Sequence, residues 1–299
     1  MTTNSTDPTP QTWTAAAERL LRDAEQHDGV APFSEAFVRG VDDNPGETGH
    51  RHFRRELGGE LAGLAALAPD GSTELVVHPD ARRRGLGREL ITEVLHTRPD
   101  ARLWAHGNTD DAQLTARAMA LEPTRELNVM GIAGAALAAA ARTAIPAGYE
   151  EITYAEGVRR WGAEALEEKW LAVNNDAFSW HPEQGGWDRA RLRRAMDTEW
   201  FDTEGALFLV VADDVAGFHW TKVHPDGTGE VYVVGLASPY RGEGLGGPLV
   251  ALGLRSLVER GCEQVILYVE ADNRPAVRRY EEMGFTVRES HVVYTKKGI

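Results

Sequence analysis

The chain has 299 residues, with 32 Lys and Arg against 46 Asp and Glu, a formal net charge of −14, and 42% hydrophobic residues. That length holds two ordinary domains and the composition supports a packed core. A field of that sign repels a polyanion over most approach directions, so nucleic acid is excluded as the expected partner, while small anions can still bind locally.

Residues 1–10 (MTTNSTDPTP) have neither a cationic start nor an apolar run, and they read as a disordered tail rather than a signal peptide. The run Leu75–Leu90 (LVVHPDARRRGLGREL) joins an apolar segment, a Pro-bearing turn and an apolar-periodic helix. Gly131–Ala141, the most apolar stretch, is mostly alanine and too short to span a bilayer, so no membrane association is expected. Ala133–Gly148 is rich in small residues and ends in Pro146 and Gly148; the domain junction is placed there, giving domains at 11–143 and 149–299. Further on, helices are expected over 161–178 and 188–199, a hairpin over 207–212 and 215–223, and a strand over 230–236. A helix over 242–260, a strand over 264–270, a helix over 274–283 and one or two strands over 286–294 follow. Helices alternating with strands after an antiparallel start give a mixed α/β sheet. The single cysteine, Cys262, permits no intrachain disulfide, so a reducing cytoplasm is expected and Cys262 reads as a small buried hydrophobe.

The segment Val234–Leu249 (VGLASPYRGEGLGGPL) repeats the plan of Leu75–Leu90: Arg82, Gly85 and Gly87 answer to Arg241, Gly244 and Gly246 at an offset of 159 residues. Two copies of a domain of about 150 residues would produce that offset. An Arg-x-x-Gly-x-Gly turn between a strand and a helix start suits a phosphate, because glycines let successive N–H groups point at one anion and the helix N-terminus adds its own. One such turn is as readily a Gly-rich start of a helix; two in equivalent contexts favour the phosphate. The spacing fits neither a dinucleotide Gly-x-Gly-x-x-Gly fingerprint nor a Walker loop.

The run Val231–Phe285, with Arg241-Gly-Glu-Gly-Leu-Gly246, Asn273-Arg-Pro-Ala276 and Tyr280-Glu-Glu-Met-Gly-Phe285, resembles a GCN5-related N-acetyltransferase (GNAT) domain, and the N-terminal half resembles a divergent copy. Gly217-Phe-His-Trp-Thr-Lys-Val-His-Pro-Asp226, with Asn174-Asn175, His181-Pro-Glu-Gln-Gly185 and Leu267-Tyr-Val-Glu-Ala-Asp-Asn273, extends the likeness over nearly the whole chain. It points to tandem GNAT proteins that acetylate the cysteinyl amine of a cysteine-glucosamine-inositol pseudodisaccharide. The resemblance implies an α/β fold of two tandem GNAT domains, each a mixed, mostly antiparallel sheet flanked by helices. It also implies a cytoplasmic enzyme, expected as a monomer, that uses acetyl-CoA as co-substrate.

By the same resemblance, pyrophosphate would sit on Arg241, Gly242, Glu243, Gly244, Leu245, Gly246 and Gly247, and pantetheine along Val234, Gly235 and Leu236. Asn273, Arg274, Pro275, Ala276, Val277 and Arg278 would complete the cofactor site. The matching positions in the N-terminal half are Leu75, Val76 and Val77 with Arg83, Arg84, Gly85, Leu86, Gly87 and Arg88. Glu230 takes the position of the general base and Tyr280 that of the general acid. Glu35, Glu183, Lys222, Glu230 and Tyr268 are carried over as acceptor contacts.

An α-amine with a pKa of about 7.7–8.0 is already neutral in roughly a tenth to a fifth of molecules at pH 7, so a modest base acting through water suffices. Read without the resemblance, Glu230 is a glutamate after a turn and Tyr280 a core tyrosine. In the N-terminal copy Asn108 stands for Asn273, but Thr115 stands seven residues on, and only Glu74 approaches the place of Glu230. That half is therefore not expected to catalyse, and whether it holds acetyl-CoA is left open by the sequence. Six of the 8 tryptophans follow residue 150, as sugar stacking or, more simply, core packing would require. His219 and His224 flank Lys222 with no other ligand at metal spacing, so no metal is expected. A GNAT acting on another small amine or a protein N-terminus, and a non-enzymatic acetyl-CoA sensor, are the alternatives.

Overall fold

The structure is a computed structural model that describes residues 10–42, 48–180 and 184–298. In chain order the first elements are α1 (Pro10–Asp28), α2 (Glu35–Asp42), β1 (Arg51–Leu57), β2 (Glu60–Leu67), β3 (Ser72–Val77), α3 (Leu86–Thr97), β4 (Arg102–Ala105), α4 (Asp110–Ala118) and β5 (Leu121–Ala133). They continue with α5 (Gly134–Ala140), β6 (Glu150–Thr153), α6 (Tyr154–Trp161), α7 (Ala163–Ala177), α8 (Arg189–Met196), β7 (Ala206–Val211), β8 (Asp214–Val223) and β9 (Gly229–Leu236). The last are α9 (Gly246–Glu259), β10 (Gln264–Glu270), α10 (Arg274–Glu282) and β11 (Thr286–Lys296). Two units result, one made of residues up to 127 together with those from 289 onward, the other of residues 128–288. The strands β5 and β11 each begin in one unit and end in the other.

In the first unit, β1, β2 and β3 form an antiparallel meander. The crossover through α3 then lays β4 parallel to β3, and Val292, Val293 and Tyr294 of β11 pair antiparallel with Ala105, Trp104 and Leu103. Leu20, Leu21, Phe33 and Phe37 from the α1 and α2 region bury against Leu64 and Val76, while Leu90, Val94 and Ala116 of α3 and α4 pack with Phe53 and Leu103. Alternation along the strands thus feeds a helix layer on each face.

The second unit repeats the plan. The strands β6, β7, β8 and β9 are antiparallel neighbours, and β10 returns parallel to β9 after α9. Helices α5, α9 and α10 cover one face through Leu137, Leu254, Leu257 and Val277; α7 and α8 cover the other through Leu166, Trp170, Val173 and Leu192. The helix expected over 161–178 is two helices, because Gly162 at φ 81° breaks the run and Thr153 with Glu156 forms a capping box that starts α6 earlier. Asp188 is not the first residue of α8 but its cap, accepting from Arg191 N at 2.7 Å.

The division between units differs from the expected junction at 143–149. The alanine-rich stretch has no proline before Pro146, so it continues as α5, whose Leu137 and Ala140 bury in the core of the second unit. Val292–Tyr294, near the C-terminus, pair into the first unit's sheet. The expected tail over residues 1–10 lies outside the described residues except for Pro10, which opens α1. Among the described residues no helix is long and apolar enough to cross a membrane.

Candidate active site

Three residues of β10 pair with β9, Val265 with Gly229, Ile266 with Glu230 and Leu267 with Val231, and beyond them the two strands part. On that side the backbone groups of Val233 to Leu236 are left for a ligand, as a peptide-like pantetheine arm requires. The first residues past the last pair, Tyr232 and Tyr268, are 37% and 48% exposed. A bulge between Trp220 and Thr221 crowds Tyr232 and Val233 opposite Trp220, so the strand bends where it opens.

Glu230 and Lys222 are cross-strand partners and share one face of the sheet. Glu230 is 6% exposed, and its Oε2 lies 2.7 Å from His224 Nε2, which sits across the turn closing the β8–β9 hairpin. An almost buried carboxylate thus has a hydrogen-bonding partner that fixes its orientation. Period-two alternation adds Tyr232, Ile266 and Tyr268 to the same face. Lys222 Nζ also stands 5.3 Å from the Trp200 ring.

Tyr280 reaches the strand opening from the opposite face. On α10 it buries, at 9% exposed, in the cluster that holds Val231 and Leu267, the last paired residues, with its ring against Phe285. Burial pushes its phenol up to about 12. Such a phenol stays a hydrogen-bond donor throughout the physiological range. Asn273 caps α10 by accepting from Ala276 N at 3.4 Å, and Pro275 sits in the first turn.

The Gly-rich turn leads into α9. Gly242 and Gly244 lie at φ 84° and 81°, and a Cβ at Gly242, Gly244, Gly246 or Gly247 would meet nothing within 4 Å. A glycine-only backbone with open space before a helix N-terminus fits a pyrophosphate. The turn is braced from beneath. Arg241 donates through Nε to Leu236 O and through Nη2 to Asp176 O, while the Asp176 carboxylate accepts from Ser238 N and, at 2.8 Å, from Ser238 Oγ. Arg241 in this arrangement pins the turn to the end of β9. Glu243 accepts from Tyr149 Oη at 2.8 Å.

The first unit shows the same brace: Arg82 donates to Val77 O through Nε and makes a two-pronged pair with Asp28 at 2.8 and 2.6 Å. Those bonds hold the Asp28 carboxyl below its ordinary range and the guanidinium above its own. Gly85 lies at φ 90°, and Arg83, at φ 62°, takes the left-handed place that Gly242 holds in the other unit. A cavity of about 510 Å³ runs from Arg83, Gly85, Gly87 and Arg88 along Leu75, Val76 and Val77 to Trp104, His106 and Tyr294. Next to Leu75 on β3, the buried Glu74 accepts from Ser34 N at 2.7 Å. His106 Nε2 lies 3.0 Å from Glu74 Oε1, out of hydrogen-bonding alignment. Thr109, not Asn108, caps α4, accepting from Ala112 N at 3.4 Å; the residue seven past this cap is Ala116, so Ala116 rather than Thr115 takes the place of Tyr280. Asn108 accepts from Tyr294 Oη at 2.9 Å instead. No phenol stands on α4, whose sequence is DDAQLTARA.

Of the expected acceptor contacts, Lys222, Glu230 and Tyr268 come together on one face of the second unit, and Glu35 opens α2 in the first. Glu183 lies outside the described residues. Sequence reasoning passed over His224 as a partner of Glu230, although a histidine and a glutamate six residues apart across a hairpin turn are placed to meet. His219 is buried, its Nδ1 donates to Leu249 O at 3.0 Å, and a Cβ on Gly253 would lie 2.1 Å from its ring, so it fills space between β8 and α9. Burial holds it down to about 4, hence neutral. Among the described residues no group of three His, Cys, Asp or Glu is placed to hold a metal ion.

The model of the acetyltransferase (GNAT) family matches residues 13–122 and again 170–285. A mycothiol acetyltransferase of Corynebacterium aurimucosum is 50% identical over 292 residues, spanning 93% of each chain. That of Corynebacterium efficiens is 50% identical over 280 residues, covering 93% of this chain and 90% of its own. Among solved structures, a GCN5-related N-acetyltransferase from Sphaerobacter thermophilus superposes with a TM-score of 0.70 at 22% identity, covering 96% of this chain and 93% of its own. A tandem GNAT protein from the clavulanic acid biosynthesis pathway gives 0.67 at 19%, covering 96% and 95%; these two likenesses concern the fold. The chain therefore belongs to the GNAT acetyltransferase family, as a tandem member of the mycothiol acetyltransferase group.

Proposed function

We propose that the second unit transfers the acetyl group of acetyl-CoA to the cysteinyl amine of cysteinyl-glucosaminyl-inositol, the reaction that yields mycothiol. The observation that carries this reading is the buried Glu230–His224 pair at the parting of β9 and β10, with the open Gly-rich turn at the far end of the same strand. Relatives of the same length that bear the name mycothiol acetyltransferase supply the acceptor.

Glu230, oriented by His224, takes a proton from the amine through water. The amine nitrogen forms its bond to the thioester carbonyl carbon, the C–S bond breaks, and the sulfur leaves as thiolate. Tyr280, with its phenol near 12, donates a hydrogen bond to that thiolate rather than surrendering its proton outright. The amine's proton then passes from Glu230 to solvent, and solvent protonates the thiolate. Val234, Gly235 and Leu236 would align the pantetheine arm, Gly242 to Gly247 the pyrophosphate, and the turn from Asn273 to Arg278 the remainder of the cofactor. Lys222, Tyr268, Glu183 and Glu35 are the further acceptor contacts in this reading.

The first unit holds acetyl-CoA without using it: its cavity and braced turn suit the cofactor, while α4 offers no phenol. A cytoplasmic, monomeric enzyme without a metal completes the reading. The test is product analysis by mass spectrometry with the cysteinyl pseudodisaccharide beside a panel of polyamines, aminoglycosides and peptide N-termini. Acetylation of the pseudodisaccharide on nitrogen is the expected result; acetylation of another amine at higher kcat/KM overturns the acceptor.

A further inference from the structure

The six tryptophans of the C-terminal half separate into distinct groups. Trp170 and Trp220 are fully buried in the core against α7, and Trp161, Trp187 and Trp200 pack partly buried against the same cluster. Trp180 is exposed. Trp200 alone among them stands half-buried beside Lys222, with its ring 5.3 Å from Nζ and 4.8 Å from the Tyr232 ring at 66°. It comes from the connection between α8 and β7 and lies over the face that carries Lys222, Glu230 and Tyr232. It is anchored from below by Trp220, 5.6 Å away at 38°.

We infer that Trp200, with Tyr232 beside it, is the stacking wall that positions the polyol rings of the acceptor over Lys222 and Glu230. A pyranose or cyclitol ring has an apolar C–H face and a rim of hydroxyls. The C–H face seats on a rigid aromatic plane, and the rim needs charged or hydroxyl partners within reach. Both halves of that requirement meet here: Trp200 and Tyr232 supply the planes, and Lys222, Glu230 and Tyr268 supply polar atoms on the same sheet face. Two aromatic rings held by a third cost little further ordering when a ligand arrives, which suits a recognition surface. A helix or loop residue serving only as core filler has no need to stand against the lysine at the mouth of the strand opening. Trp200 acts here through orientation of the substrate, so it is a positioning residue.

The inference rests on the acceptor proposed above, and the experiment separates the two. Steady-state acetylation is measured with the cysteinyl pseudodisaccharide and with cysteinamide, which offers the same amine without rings, for wild type, Trp200→Phe and Trp200→Leu. Leucine keeps apolar bulk against Trp220 but removes the aromatic plane. Trp200→Leu is expected to raise KM for the pseudodisaccharide roughly tenfold, with kcat, KM for acetyl-CoA and kcat/KM for cysteinamide within about twofold of wild type. Trp200→Phe restores most of the loss. An equal fall with both acceptors in the leucine variant assigns Trp200 to packing and overturns the inference, as does an unchanged KM. If wild type itself shows no preference for the ring-bearing acceptor, the acceptor reading fails first and the stacking wall with it.

Discussion

Replacing Tyr280 by phenylalanine removes one oxygen from a side chain that is 9% exposed and leaves the ring packed on Phe285, so the fold is retained. With the phenol held near 12 and a free thiol near 8.5, complete proton transfer to the departing thiolate is uphill by about 5 kcal/mol. The residue therefore contributes a charge-assisted hydrogen bond, which is worth about 1.5–3 kcal/mol. Expressed in kcat, Tyr280→Phe is about 10- to 150-fold slower with little change in KM for either substrate. The alkaline limb sharpens the case. The neutral phenol is the donor, so its contribution is present below its folded value and is lost only as pH rises through about 12. Stability runs in the same direction: an unfolded tyrosine ionises near 10, so stability falls between roughly pH 10 and 12, by about 3 kcal/mol at most. A thiol-release assay from pH 6 to 10.5 should show no loss of wild-type kcat with an apparent pKa near 10. Such a limb, absent from Tyr280→Phe, would refute the buried-donor account, and so would a phenylalanine variant within twofold of wild type.

Gly244→Ala forces a Cβ onto φ 81° and should cost about 1–2 kcal/mol in thermal stability as well as raise KM for acetyl-CoA; Gly246→Ala, with nothing within 4 Å, should leave the melting temperature unchanged while intruding on the cofactor. Asp28→Asn breaks a two-pronged pair whose side chains are 16% and 19% exposed and should destabilise the first unit by about 2 kcal/mol in urea titration. The Asp28 carboxyl is held down by Arg82, so this contribution is fully present above the ordinary value of about 3.9 and is lost as pH falls through the lower folded one. The Asp28→Asn variant should accordingly show a smaller loss of stability on the acid side than wild type. His224→Phe leaves Glu230 without its partner and should lower kcat roughly tenfold, with His224→Gln recovering part of it and KM for acetyl-CoA unmoved in both.

The tandem plan was legible because its signals are local: two Gly-rich turns at a fixed offset, and short apolar runs such as Leu207–Val211 bounded by turn residues. Glu230 and Lys222 could be singled out by resemblance, and hairpin register explains why they face each other. What sequence did not yield depends on distant partners. The C-terminal Val292–Tyr294 segment reads as a strand anywhere, and only its pairing with Leu103–Ala105 assigns it to the first unit. Likewise the alanines of α5 favour a helix by composition, and only the core that Leu137 and Ala140 enter assigns that helix to the second unit. Arg241 and Arg82 could not be read as braces of their turns because the residues that engage them, Asp176 through its backbone carbonyl and Asp28 through its carboxylate, lie 65 and 54 residues away. The Asn108 match failed by one residue, since a threonine caps as well as an asparagine and the motif alone cannot say which does.

The central claim is that the second unit performs the transfer and the first does not. Gly85 and Gly244 occupy equivalent turns at φ 90° and 81°, so valine at either imposes comparable backbone strain. Measuring kcat/KM for acetyl-CoA in acetylation of the cysteinyl pseudodisaccharide by Gly85→Val and Gly244→Val, at saturating pseudodisaccharide and with folding checked by circular dichroism, compares the two directly. The account predicts near-wild-type kcat/KM for Gly85→Val and loss of more than about a hundredfold for Gly244→Val. The opposite ranking, or equal losses in both, would contradict it.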